Sequence, residues 1–331
     1  MTTSSIAQAQ AGHVVGTSLT NADPYMITDK FLKVIALPQN EGEKIFFRRA
    51  NLLSPATTPL AEGATPSGKS LTYTRYEATP EYYGDLITFT DKVTEMVEDP
   101  VLTDCADIMS KQIAETKEAI NFSVLKAGSS KYFDAQAHTL RNEVDNHLTI
   151  SRLQTVQRAM QKDKAKTITK VQKSTVAQGT RSIKGAYVVL GHTDLRQDIE
   201  ALPGFIDAAD YGGSVLNEHE VGTVGVFRFV LSPEYVPYED AGGLASTNNL
   251  MSTTGTQADV YPLVVLADDC AACIPLQGKD AIKPTIIPPN VKDKSDPLGR
   301  KGYCGWKIAT TALITNQLWL SVLEVGCKEL D

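Results

Sequence analysis

"GATPSGKS", residues Gly63 to Ser70, fits the phosphate-binding pattern G-x-x-x-x-G-K-[ST] without a mismatch. Such a loop works because a buried strand feeds it and a helix leaves it. The helix N-terminus aims backbone N–H groups at the phosphates, and the lysine adds charge. Here the upstream residues, Thr58-Pro59-Leu60-Ala61-Glu62, cannot form a buried strand. Downstream, Leu71-Thr72-Tyr73-Thr74-Arg75-Tyr76 alternates with β-branched and aromatic side chains, which is a strand pattern and a poor helix start. Leu263-Val264-Val265-Leu266-Ala267-Asp268 imitates the other half of a nucleotide site, an apolar strand ending in a magnesium-binding Asp. Short apolar strands ending in Asp are common. The octapeptide is therefore read as a loop tip, and a nucleotide hydrolase using Lys69 and Asp268 is kept as the rival.

Working outward, Lys44–Asn51 (KIFFRRAN) and Leu71–Ala78 (LTYTRYEA) read as strands. Between them lies SPATTPLAEGATPSGKS, rich in Pro, Thr, Ser and Gly, so the unit is a long hairpin with an extended tip. A third strand covers Asp85–Thr90. Then the period changes. Glu98-Asp99-Pro100 marks a helix start, and Leu102, Ala106, Met109, Ile113, Ile120 and Val124 recur at helical spacing. Lys126 and Gly128 close the helix. Nearly thirty residues make it roughly 40 Å long at about 1.5 Å per residue.

Beyond it, the pattern predicts a helix over Ser151–Lys162 and strands over Thr167–Lys173 and Ala186–Leu190. Thr193 or Asp194 caps a short helix ending before Pro203-Gly204. Val224–Leu231 reads as one strand and Gly242–Gln257 as a polar loop. From Tyr261 the apolar segments are β-like, interrupted at Pro275, Pro284, Pro288 and Pro289, and Gly305–Val325 reads as two strands around Asn316. No internal repeat is visible.

The 331 residues suffice for one large domain or two ordinary ones, and 42% hydrophobic with 21% charged residues is an ordinary globular composition. The formal charge of -7 keeps a protein soluble and gives no general affinity for nucleic acid or anionic lipid. Met1–Gly16 lacks a basic start followed by an apolar run, so no secretory signal is expected. No stretch has the ~18 continuous apolar residues of a membrane span, so no membrane partner is expected. A soluble protein made and kept in a cytoplasm is the expectation. Met1–Thr20 is rich in Ser, Thr, Ala, Gln and Gly, with too little apolar content to dock itself; neighbouring chains are expected to hold it.

Candidate chemistry is sparse. The five cysteines, Cys105, Cys270, Cys273, Cys304 and Cys327, are odd in number and scattered, which suits free thiols. Cys270 and Cys273 have the spacing of half a zinc site, but no second pair completes it. Gly191-His192-Thr193-Asp194 sits where strand meets helix, and helix capping accounts for it. No catalytic set, cofactor site or metal site is expected. Arg158 to Lys184 holds eight basic residues, among them Arg158, Lys162, Lys164, Lys166, Lys170 and Lys173, against the single acid Asp163. That is +7 locally and leaves -14 elsewhere. The stretch reads as a solvated face or a contact for an acidic patch such as Asp194–Asp240; no interleaved aromatic residues point to base stacking.

From Ser295 the chain reads SDPLGRKGYCGWKIATTALITNQLWLSVLEVG. This resembles the C-terminal signature of tailed-phage major capsid proteins of the phage N4-like coat-protein family, S-D-P-L-G-x-x-G-Y-x-G-W-K followed by an apolar run and L-E-V. ATTPLAEGATP at Ala56, DKVTEMVEDPVL at Asp91, HTDLRQDIEALPGF at His192 and STTGTQADVYPLVVL at Ser252 agree in the same order, so the resemblance spans about residues 24–326. It implies an α+β, HK97-like capsid fold: an N-terminal arm (1–38), an extension-loop β-hairpin (39–91), a peripheral domain with a long spine helix (92–149), an axial domain (150–260) and a β-rich return to the peripheral domain (261–331). It implies a non-enzymatic major capsid protein forming hexamers and pentamers of an icosahedral shell around double-stranded DNA, which it meets without sequence specificity. Portal, scaffolding and decoration proteins are the further partners it suggests. Within the loop, Arg48, Arg49, Glu62, Lys69 and Arg75 are the expected polar contacts between subunits. A scaffold or adaptor protein without a shell is the second rival.

Overall fold

The computed structural model describes residues 26–40, 42–59, 62–63, 65, 67–92, 101–168, 185–211, 219–276, 285–289, 291–292 and 296–329. The Ser- and Thr-rich arm, the Glu98-Asp99-Pro100 helix start and most of the strand expected over Thr167–Lys173 lie outside these residues.

In chain order, helix α1 (Thr28–Phe31) and strand β1 (Lys33–Val34) precede a hairpin of β2 (Ile45–Ala50) and β3 (Tyr73–Ala78). Strand β4 (Glu81–Thr90) leads to the long helix α2 (Val101–Leu125) and β5 (Lys131–Phe133). Then come α3 (Ile150–Lys162), β6 (Tyr187–Gly191), α4 (Arg196–Glu200), β7 (Phe205–Asp207), β8 (Glu220–Val224) and β9 (Phe227–Leu231). The chain closes with β10 (Val260–Leu266), β11 (Ala271–Cys273), β12 (Thr285–Ile287), β13 (Lys301–Thr310), β14 (Ala312–Ile314) and β15 (Leu320–Gly326).

A seven-stranded sheet in the order β5-β15-β10-β6-β9-β8-β7 forms the centre. Its middle strands, YVVLG, FRFVL, VYPLVVL and LSVLEVG, are buried at every position. Continuous apolar runs of this kind belong to strands covered on both faces. On one face Val189, Phe229, Leu263, Val265 and Leu323 pack with Leu153, Val156 and Met160 of α3 and Ile199 of α4. On the other, Val188, Leu190, Val230, Val264 and Leu266 pack with Phe122 and Leu125 of α2 and with Ile27, Phe31 and Leu32. Because β10 and β15 pair with each other and β10 with β6, this sheet runs across residue 260.

A second sheet, β12-β13-β4, lies on the first half of α2. Phe89, Cys304, Trp306 and Ile308 meet Cys105, Met109 and Ile113 there. Gly84 permits the close approach of β4 to β13: a Cβ at this position would sit 2.5 Å from the Trp306 carbonyl oxygen. The β2–β3 hairpin packs on the body at its base, where Ile45, Phe47 and Ala78 meet Leu37 and Ile274, and further along through Arg49.

Several local expectations are corrected. Val224–Leu231 is not one strand, because Gly225 adopts φ +64° and reverses the chain between β8 and β9. The cap before α4 is neither Thr193 nor Asp194. His192 Nδ1 accepts the Asp194 N–H at 3.2 Å, and the Asp194 carboxylate instead accepts the Tyr261 hydroxyl at 2.9 Å. The C-terminal stretch forms three strands rather than two. Thr311 separates β13 from β14, and Asn316 caps a 3-10 turn, Gln317–Trp319, by accepting the Leu318 N–H. On α2, Ile120 and Val124 are only partly buried, while Glu118, Asn121, Phe122 and Leu125 face the interior.

Candidate assembly surfaces

The hairpin is built by cross-strand pairing from Ile45↔Ala78 to Ala50↔Tyr73. Alternation turns Ile45, Phe47 and Arg49 toward the body and Phe46 and Arg48 outward. Arg48 and Arg75 are direct partners on the outward face. Like charges placed opposite one another destabilise a sheet. Each finds an aromatic ring instead: Arg75 lies 3.7 Å from the Phe46 ring centroid and Arg48 5.7 Å from that of Tyr73. Neither has a carboxylate partner among the described residues. Arg49 is engaged with its own chain, donating to the Thr315 carbonyl at 3.3 Å and lying over Tyr76.

Beyond Ala50 the two arms stay together through polar contacts. The Asn51 N–H donates to the Thr72 carbonyl at 2.9 Å, and Lys69 donates to the carbonyl and hydroxyl of Ser54 at 3.3 Å each. Glu62 is exposed at the tip and Gly63 has φ +73°. Leu52, Leu53 and Leu71 are exposed, Leu52 at 91%.

This geometry speaks against a phosphate loop. Among the described residues no strand leads into Gly63–Ser70 and no helix follows it; Lys69 bridges the hairpin arms, and β3 comes next. Asp268 follows β10 in the central sheet, where its N–H donates to the Lys166 carbonyl. Lys69 and Asp268 therefore lie next to strands of two different sheets.

Of the basic stretch, Arg158, Lys162, Lys164 and Lys166 are exposed along the end of α3 and the turn after it; Lys170 and Lys173 lie outside the described residues. Lys162 complements the C-terminal dipole of α3, and Lys166 lies 5.9 Å from the Trp319 ring centroid. The Trp319 indole N–H donates to the Asp163 carbonyl at 3.2 Å.

Two polar clusters were not legible from motifs. Asp134, His138 and Asp145 come close enough to suggest cation ligands. Their hydrogen bonds give a simpler account. Asp134 Oδ1 pairs with His138 Nδ1 at 2.7 Å, while Oδ2 accepts from the Asp145 N–H, the Asn146 N–H and the Asn146 side chain. Asp134 is thus a staple for the 134–146 turn. The hydrogen bond to Asp134 holds the His138 ring pKa above the usual imidazole range, against the opposing effect of burial. The second cluster surrounds Glu118. The five cysteines are free and buried, and burial pushes the Cys270 and Cys327 thiols up to about 12, which suits packing rather than reaction.

No family model matches the sequence, and no curated protein is recognisably similar to it. The architecture does have counterparts. It superposes on the capsid chain of Ralstonia phage GP4 with a TM-score of 0.66 at 10% identity, covering 97% of each chain. The capsid chain of cyanophage Pam1 gives 0.61 at 13% identity over 98% of each chain. The mature capsid chain of bacteriophage PhiM1 gives 0.59 at 9% identity, over 95% of this chain and 90% of that one. The protein has an α+β, HK97-like fold. That fold is the one found in phage capsid chains, as the C-terminal signature led us to expect.

Proposed function

We propose that this chain is the major capsid protein of a tailed phage, self-assembling into hexamers and pentamers of an icosahedral shell around double-stranded DNA. The carrying observation is the extent of the likeness: it runs over 97% of this chain and 97% of the GP4 chain, not over one shared module. The C-terminal signature from Ser295 supports placement in the N4-like coat-protein family. On this reading residues 1–38 are the arm, 39–91 the extension loop and 92–149 the peripheral region with its spine helix. Residues 150–260 form the axial region, and 261–331 return to the peripheral one. The role is structural, without catalysis or a cofactor, in a virion capsid assembled in the bacterial cytoplasm.

The hairpin supplies the contacts between subunits. Arg48, Arg75, Glu62 and Lys69 are exposed on it, while Ile45, Phe47, Ala78 and Arg49 hold it to the body. Arg49 sits at the junction between hairpin and body. The Arg158–Lys166 ridge is the complement to an acidic patch on a neighbouring copy. A net charge of -7 suits a container, because a coat that bound phosphate tightly would impede filling.

Overexpression followed by sedimentation and electron microscopy tests the reading. Regular closed shells are the expected product. A protein that stays monomeric at high concentration, while fully folded, would point to the adaptor alternative.

A further inference from the structure

Lys126 directly follows α2, and its N–H still donates to the Phe122 carbonyl at 2.9 Å, so its side chain leaves the helix from a fixed point. The side chain is half-buried. Its Nζ lies 4.8 Å from the Tyr238 ring centroid and 5.9 Å from that of Phe122. Phe122 is itself stacked on Tyr235, ring centroids 4.2 Å apart, which holds that ring in place. The Arg141 guanidinium lies 3.4 Å from the centroid of the same Tyr238 ring. Among the described residues the Lys126 ammonium has neither a carboxylate nor a hydrogen-bond partner.

The nearby counter-ion is already taken. Arg141 donates to both oxygens of the buried Glu324, and Lys131 stands 3.5 Å from one of them. Glu239 follows Tyr238 and is exposed, and among the described residues it makes no ion pair with Lys126. Three cations thus share one carboxylate and one ring, and Lys126 is the one left without an anion. Two effects favour its ammonium, the face of Tyr238 and the C-terminal carbonyls of α2. The ring, however, is divided between two cations, and Arg141 is the closer. Against both effects stand desolvation and an adjacent like charge, the two conditions that free a lysine amine for nucleophilic attack. The balance falls on their side: burial first, and Arg141 second, bring the Lys126 pKa below the ordinary lysine range.

We propose that Lys126 is a nucleophilic lysine, the position at which this chain is preferentially modified by activated acyl groups of the acyl-phosphate class. In that step the lone pair of the neutral Nζ attacks the acyl carbon. The bond from that carbon to the phosphate oxygen breaks, its electron pair leaves with the phosphate, and the nitrogen gives a proton to water. An amide and inorganic phosphate result, with no oxidant or reductant required. The amide carries no charge, so modification leaves Arg141 as the cation on Tyr238 and removes the like-charge contact. Other lysines lack this combination. Lys117 is paired with Asp29, Lys131 with Glu324 and Lys111 with Asp107. Lys166 and Lys307 also lie over rings, those of Trp319 and Tyr82, but both are exposed and keep their hydration. None of this depends on shell formation.

Brief treatment of the folded full-length chain with acetyl phosphate, from about pH 7 to about pH 10, tests the assignment, with acetylation at every lysine read by mass spectrometry of the digest. Near neutrality Lys126 should react several-fold faster than the exposed Lys162, Lys164 and Lys307. Its rate should also level off at a lower pH than theirs, which better access alone would not produce. In urea the preference should vanish, because it belongs to the fold. In Arg141→Met the levelling should move up toward the ordinary lysine range, and an unchanged profile in the folded variant would remove Arg141 from the account. Where that variant does not fold, the wild-type profile decides by itself. A wild-type Lys126 that reacts no faster than the exposed lysines would overturn the proposal, as would a preference that survives in urea.

Discussion

Arg141 holds Glu324 in a two-point grip, Nε and an Nη each donating to a carboxylate oxygen at 2.7 Å, across 183 positions of chain. The Glu324 side chain is fully buried in β15, and Lys131 on neighbouring β5 stands 3.5 Å away. The guanidinium lies 3.4 Å from the centroid of the Tyr238 ring. Three distant segments are thus joined at one interior carboxylate.

Removing Arg141 takes both of its hydrogen bonds from the buried Glu324 and leaves Lys131 as its remaining cationic neighbour. Arg141→Met should therefore destabilise the protein in urea unfolding, by less than the about 3–5 kcal/mol of a buried charge left with no partner. The double variant Arg141→Met, Glu324→Leu should recover much of that loss, since apolar groups of similar size can replace a buried pair. A loss below about 0.5 kcal/mol in the single variant, the range of ordinary surface changes, would show that the grip is not stabilising.

The His138–Asp134 bond predicts a second pH dependence. The folded pKa of His138 is raised above its unfolded value, so its contribution is fully present below about pH 6.5, the ordinary imidazole value, and is lost as pH rises through the folded one. Thermal unfolding of wild type should weaken across that interval relative to His138→Gln, which has no proton to lose there. Parallel pH curves for the two proteins would contradict this.

Helix α2 should tolerate change by position. Ile113, 2% exposed, packs against Phe89 and Trp306, and Ile113→Asp buries an unpaired charge. Loss of folding is expected by circular dichroism. Lys111 is a poor control, because its side chain is only 17% exposed and pairs with Asp107. Ser123→Ala, on the exposed face, should stay within about 0.5 kcal/mol of wild type. Comparable damage at the two positions would mean that the buried face of the helix is wrongly drawn.

The regular elements were readable because their periods are local. β2 and β3 show in KIFFRRAN and LTYTRYEA, and α2 in the spacing of Met109 and Ile113. What escaped depends on contacts far apart in sequence. Glu118 and Asn121 read as solvent-facing letters on a helix, and only Thr28 and Tyr235, brought in from other segments, explain their burial. Glu324 stands in an apolar strand with nothing nearby to announce Arg141. In the hairpin the arginines were legible as charges on two strands, but not their stacking on Phe46 and Tyr73, which depends on register. Arg49 looked equivalent to Arg48 until alternation turned it toward Thr315.

Nucleotide binding should be absent at Gly63–Ser70. Lys69 is committed to Ser54, and the residues after it enter β3 instead of a helix. Calorimetry with ATP and magnesium should give no saturable heat, and Lys69→Ala should leave the trace unchanged. Micromolar binding lost in that variant would restore the hydrolase reading.

The hairpin beyond its base should be dispensable for folding and needed for assembly. Residues 51–59 and 67–72 are exposed and belong to no apolar cluster; the base is held by Ile45, Phe47 and Ala78 on Leu37 and Ile274. A projecting two-stranded ribbon is at best marginally stable by itself. Replacing Pro55–Lys69 with a short Gly-Ser turn should thus leave circular dichroism and the melting temperature close to wild type, because α2, the central sheet and the hairpin base are untouched. It should abolish or greatly weaken shell formation, because the exposed Leu52, Leu53 and Leu71 and the outward Arg48 and Arg75 lose the reach and order that let them meet a neighbouring copy. Arg48→Glu with Arg75→Glu should weaken assembly in the full-length hairpin, in a manner sensitive to salt. Stable, regular shells from the shortened protein would remove the hairpin from the assembly mechanism. A shortened protein that fails to fold would mean instead that the tip packs on its own chain.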